Sequence, residues 1–123
     1  MNSKHVAVWF EIPVQNIQRA MTFYQNVMKV DFKMDEDAKT KMAIFPTEGD
    51  AVGGALVLKP DDSPSRVGTL VYLNAGPNLS DYLARVPSNG GKILQEKTNI
   101  GEYGWIGLFE DCEGNRVGFW SEK

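Results

Sequence analysis

The stretch Phe109-Glu110-Asp111-Cys112-Glu113-Gly114-Asn115-Arg116-Val117-Gly118 has a counterpart in Phe45-Pro46-Thr47-Glu48-Gly49-Asp50-Ala51-Val52-Gly53. Each reads Phe, then a turn, then Glu-Gly-x-x-Val-Gly, and each leads into apolar residues. Turn residues followed by β-branched and aromatic ones are the pattern of a strand entered from a tight connection. Two copies in one chain suggest a duplicated unit, and so short a motif needs its surroundings to agree.

Outward from both copies, the surroundings do agree. Ile17, Ala20, Met21, Tyr24, Val27 and Met28 recur at helical spacing, and Leu79, Tyr82, Leu83 and Val86 form a shorter stripe. Asn16 is the expected N-cap of the first helix, with Lys29 at the negative end of its dipole. Asn78 is the expected cap of the second, which Pro87 and Gly90-Gly91 stop. Short β-branched or aromatic runs predict strands at 6–12, 30–34, 41–45 and 52–58, then at 69–73, 92–96, 103–109 and 116–120. The order is β-α-β-β-β, given twice. It predicts an α+β fold in a single domain over 1–123, with module one at about 1–60 and module two at about 67–123. The segment Pro60-Asp61-Asp62-Ser63-Pro64-Ser65, about 60–66, has linker composition.

Composition sets the outer limits. A chain of 123 residues has the usual size of one domain. Folding buries roughly two-thirds of the unfolded surface at this size, so no staple is needed. Thirteen basic against sixteen acidic residues leave a net charge of −3, which offers no basic stripe for nucleic acid and no polybasic segment for a membrane. The longest apolar runs, such as Gly53-Gly54-Ala55-Leu56-Val57-Leu58, fall far short of the roughly 20 residues that span a bilayer. Met1-Asn2-Ser3-Lys4-His5 has no signal-peptide core, and Cys112 is the only cysteine. A cytoplasmic protein is expected.

Phe10-Glu11-Ile12-Pro13-Val14, followed by Arg19-Ala20 and Phe23-Tyr24, resembles the opening strand and helix of glyoxalase, bleomycin-resistance and extradiol-dioxygenase proteins, the vicinal oxygen chelate superfamily. Gly90-Gly91-Lys92-Ile93, Tyr103-Gly104-Trp105 and the Phe109–Gly118 stretch resemble its second module. The resemblance covers essentially the whole chain and constrains fold more than reaction. It implies paired βαβββ modules whose mixed sheets curl around a U-shaped cleft, usually in a homodimer. In metal-dependent members, His or Glu from the first and last strands of each module enters that cleft. The resemblance maps those positions onto Trp9, Gly53, Thr69 and Gly118, and the internal repeat likewise pairs Trp9 with Thr69 and Gly53 with Gly118. None of these is an imidazole or a carboxylate, which such a site requires. His5, the only histidine, is four residues before Trp9, about 13 Å along a strand. No metal and no cofactor are therefore expected.

Strand alternation then assigns the cleft its lining. If Trp9 faces inward so does Glu11, while Phe10 and Ile12 turn to the helix. Arg116 and Trp120 flank Gly118 in the same way, and Trp105 is a further aromatic candidate. Trp9, Glu11, Gly53, Thr69, Trp105, Arg116, Gly118 and Trp120 are thus the candidate ligand-binding residues, suited to a flat or amphipathic organic molecule. Each has a plainer reading. Trp9 as core filler, a Glu11–Arg116 structural bridge, glycines serving a bulge and Trp105 as edge packing all fit the same sequence. Cys112 lies between carboxylates that disfavour its thiolate. The leading reading is a metal-free protein that binds a small organic molecule. Two others stay open: a metal-independent lyase or isomerase with Glu11 as general acid or base, and an accessory subunit with a filled cleft. No Ser-His-Asp, Cys-His or phosphate-cradling pattern is present.

Overall fold

The computed structural model describes residues 5–37 and 39–123. The chain runs β1 (Trp9–Pro13), α1 (Ile17–Met28), β2 (Lys33–Glu36), β3 (Lys41–Ile44) and β4 (Gly53–Leu58). It then repeats the order with β5 (Tyr72–Asn74), α2 (Ser80–Ala84), β6 (Lys92–Asn99), β7 (Trp105–Glu110) and β8 (Arg116–Ser121). β1 pairs in parallel with β4, which continues antiparallel to β3 and β2. In the second half β5 pairs in parallel with β8, followed by β7 and β6. Two four-stranded mixed sheets with few helices make an α+β fold, and the βαβββ order occurs twice.

Local chemistry accounts for the element ends. Asn16 caps α1 as expected, its Oδ1 accepting from Arg19 N at 3.0 Å. Lys29 ends that helix through its backbone rather than its charge: it sits in the left-handed region at φ 58°, with its N–H on Gln25 O. The strand expected at 30–34 forms at Lys33–Glu36, because Val30 and Phe32 are drawn into the core as the chain leaves α1. The helix expected from Asn78 shortens to Ser80–Ala84 and passes into one 3-10 turn at Pro87–Asn89, where proline cannot extend an α-helix. Asn78 still accepts from Ser80 N at 2.9 Å. β1 starts at Trp9 rather than at 6, and β5 at Tyr72 rather than at 69.

The core joins both halves. Ile12 and Leu56 from the first sheet and Phe109, Val117 and Phe119 from the second share one buried cluster with α1 and α2. Tyr24, fully buried, meets Phe45 edge-on at 5.8 Å and Phe109 at 6.4 Å. Phe45 follows β3 and Phe109 lies in β7. With β1 and β5 side by side in a flat array, those strands would be five spacings or roughly 24 Å apart. A single tyrosine on the helix side reaches both. The sheets therefore fold toward each other around the helices, and their opposite faces point away from the core.

The turn between β7 and β8 locks the halves together. Asn115 Nδ2 donates to Pro13 O at 2.7 Å. Glu113 accepts from the backbone N–H groups of Gln15 and Asn16 and from the Arg19 guanidinium, all at the start of α1. Asp111 accepts from Tyr24 Oη at 2.7 Å and from the N–H groups of Glu113 and Asn115 at 2.9 Å. Burial pushes the Asp111 carboxyl upward against those hydrogen bonds, and burial likewise holds the Tyr24 phenol well above its ordinary value.

Candidate functional site

On the outward face of β1, Trp9 lies flat against the neighbouring strand. Gly53 is its register partner, and a methyl group there would sit 3.3 Å from Trp9 Cζ3. The second sheet repeats the arrangement with Tyr72 over Gly118, where a methyl would fall 2.4 Å from the ring. Each glycine makes room for an aromatic ring on the next strand. Trp9 is 43% exposed and Tyr72 45%. Neither ring is core filler.

Register also corrects the pairing of the halves. Tyr72, not Thr69, stands opposite Gly118 as Trp9 stands opposite Gly53. Thr69 precedes β5 and faces a small cavity instead. Sequence reasoning missed Tyr72 because Asn78 reads as the cap of α2, whereas the structure starts that helix one residue later, with Leu79 as N-cap seven residues after Tyr72, as Asn16 is seven after Trp9.

Three candidates do come together. Glu11, Thr69 and Arg116 line a cavity of about 200 Å³ where the end of β1, the connection before β5 and the start of β8 meet. Glu11 does not bridge to Arg116. Its carboxylate accepts from Lys59 Nζ at 3.1 Å and from Trp9 Nε1 at 3.2 Å. That pairing holds the Lys59 ammonium above its ordinary value. Arg116 donates from Nη2 to Gly68 O at 3.0 Å.

The remaining tryptophans divide. Trp120 shares the outward face with Gly118 by strand alternation, but its Nε1 is tied to Tyr103 O at 2.6 Å. Trp105 is on the other face, packed against the core with Lys97 Nζ 4.9 Å from its ring centroid. Gly107 explains that: it faces Leu83 of α2 at 2.5 Å for an added methyl, and Trp105, two residues away, shares its face. A separate, mostly apolar cavity of about 500 Å³ opens on the helix side between Phe10, Met28, Phe45, Glu48 and Leu73.

The donor set does not suit a transition metal. The four register positions hold Trp9, Gly53, Tyr72 and Gly118, and the two rings occupy the space over the glycines. Among the described residues no three His, Cys, Asp or Glu side chains converge on one point. Cys112 is half-buried and its thiol is pushed up to about 11 by burial and by Asp111 and Glu113. No described helix is long and apolar enough to cross a membrane.

Twin βαβββ units with parallel first and last strands, each with an aromatic over a last-strand glycine, define a duplicated α+β scaffold. Residues 4–119 match the family described as the Glyoxalase/Bleomycin resistance protein/Dioxygenase superfamily, and the chain belongs to it. No curated protein matches the sequence. Among solved structures, a mutant glyoxalase I from Zea mays is 16% identical with a TM-score of 0.71, covering 94% of this chain and 46% of that one. This chain thus spans about half the length of the maize enzyme. A glyoxylase/bleomycin resistance protein/dioxygenase domain from Frankia sp. EAN1pec is 14% identical, TM-score 0.71, covering 97% and 92%. The fosfomycin resistance protein FosX from Listeria monocytogenes is 14% identical, TM-score 0.67, covering 100% and 94%. At these identities the likeness is one of fold.

Proposed function

We propose that the chain is a metal-independent member of this superfamily that binds a small organic, aromatic molecule against the outward sheet faces. The observation that carries the reading is the pair of exposed rings, Trp9 over Gly53 and Tyr72 over Gly118, at positions where metal-dependent relatives would need imidazoles or carboxylates. A flat ligand gains stacking from such rings and orientation from the polar groups beside them. Glu11 supports binding better than acid catalysis, because its carboxylate is held by an ammonium and an indole N–H. The outward faces point away from the core, so a second copy of the chain would close them into clefts. A homodimer is part of the proposal.

The test is tryptophan fluorescence and thermal stability with a panel of aromatic metabolites. Trp9→Ala should weaken binding of a hit by more than about 1 kcal/mol, the usual worth of an aromatic stack. Its stability loss should stay below the roughly 3–5 kcal/mol typical of truncating a core tryptophan. Large destabilisation with unchanged binding would reverse the assignment of Trp9. Sedimentation equilibrium showing only a 13.7 kDa species at micromolar concentration would remove the dimer.

A further inference from the structure

We infer that the cavity of about 200 Å³ holding Arg116 is an oxyanion subsite, so that the molecule bound is an organic acid. The inference rests on the small-molecule reading above and names the ligand's chemical class. Its starting point is an unsatisfied guanidinium donor. Arg116 Nε is buried and has no hydrogen-bond partner, and among the described residues Arg116 forms no ion pair. A buried guanidinium N–H without an acceptor is an unusual and costly arrangement in a native fold.

The two carboxylates placed to neutralise Arg116 are both committed elsewhere. Glu110 is its register partner across β7 and β8, yet Glu110 Oε1 pairs with Arg66 Nε at 3.1 Å. Glu11 lines the same cavity, yet it is engaged by Lys59 and Trp9. What remains around the space is donor-rich. Ser63, Ser65 and Thr69, all hydroxyl residues, line the space, and Ser65 Oγ accepts from Val67 N, which leaves its hydrogen to be donated. A planar guanidinium with hydroxyl donors beside it matches a carboxylate or phosphonate. Glu11, bonded to the Trp9 indole, joins this cavity to the aromatic platform. An acid with its charged group on Arg116 would lay its carbon body toward Trp9.

The experiment follows the Arg116 Nε–Hε resonance of the ¹⁵N-labelled full chain while benzoate, phenylphosphonate, inorganic phosphate or neutral phenol is added. Arg116→Lys, which keeps the charge and removes Nε, identifies the resonance. Saturable shifts with benzoate, phenylphosphonate and phosphate are expected, with benzoate affinity falling at least tenfold in Arg116→Lys and also falling in Thr69→Val. A resonance that no oxyanion moves overturns the inference. If phenol and benzoate quench Trp9 equally while the resonance stays still, the aromatic platform stands and the acid subsite falls. If phosphate moves the resonance but no aromatic quenches Trp9, the subsite stands and the reading under Proposed function fails. Should Arg116→Lys not fold, the parent resonance is assigned by side-chain correlation to the Arg116 backbone, and its response together with Thr69→Val decides the matter.

Discussion

Removing the Glu113 carboxylate should loosen the two halves by an amount that the structure lets one work out. Its side chain is wholly buried, while its cation Arg19 is 53% exposed. In Glu113→Ala the N–H groups of Gln15 and Asn16 lose their acceptor at the start of α1, where no intrahelical partner exists. A lost cap or backbone bond of this kind costs about 1 kcal/mol each. The ion pair adds less than about 1 kcal/mol, because the guanidinium is half in water. The total is about 2–3 kcal/mol, or roughly 8–12 °C in melting temperature at about 4 °C per kcal/mol for a chain of this size. Urea denaturation should show the midpoint falling with an unchanged slope. Arg19→Ala should lose less than Glu113→Ala. Glu48→Ala, at the exposed counterpart position in the first half, should stay within about 0.5 kcal/mol. A Glu113→Ala protein within about 0.5 kcal/mol of the parent, or an Arg19→Ala loss equal to it, would refute the interlock.

The two glycines under the rings should respond differently. Gly53→Ala asks Trp9 to give by a few tenths of an ångström and should be neutral or stabilise by up to about 1 kcal/mol. Gly118→Ala must displace the Tyr72 ring and meets Leu108 at 3.2 Å, so a loss of about 1–3 kcal/mol in thermal unfolding is expected. Cys112 should alkylate slowly with iodoacetamide at pH 8 and accelerate toward about pH 11, and a rate at pH 8 matching free cysteine would contradict its surroundings. The unfolded thiol ionises near 9.0 and the native one near 11, while Tyr24 keeps its proton well past 10.0. Unfolding therefore releases protons in alkali, and denaturant midpoints should fall as pH rises above about 9.

The fold was legible because its signals are local. α1 shows an unbroken stripe from Ile17 to Met28 and a side-chain cap, and every stripe residue is buried. Hairpin register is local as well, since the turn between Phe109 and Arg116 sets which residues of β7 and β8 meet. Element ends were less legible where packing competes with propensity. Val30 and Phe32 look like strand residues and are instead the apolar exit from α1. Trp105 reads from the sequence as either a ligand candidate or edge packing, and its strand is oriented by Gly107 under Leu83, a contact between elements distant in sequence.

The site depended on a register that no turn determines, since β5 and β8 pair in parallel as β1 and β4 do. β5 reaches β8 only through a crossover that carries α2 and two further strands, and parallel neighbours have no hairpin to count from. A slip there moves a residue along the strand and, for an odd step, to the opposite face. Taking Thr69 as the counterpart of Trp9 is such a slip, of three residues, because Tyr72 holds that register position opposite Gly118. The glycine itself held the missing information: Gly118 has no side chain, so a large neighbour can lie across it, and Tyr72 is the aromatic within reach. The same logic identifies Trp9 from Gly53. A last-strand glycine in each half thus points to the aromatic covering it. The proposed platform is read from that pair of glycines rather than from the ligand positions of metal-dependent relatives.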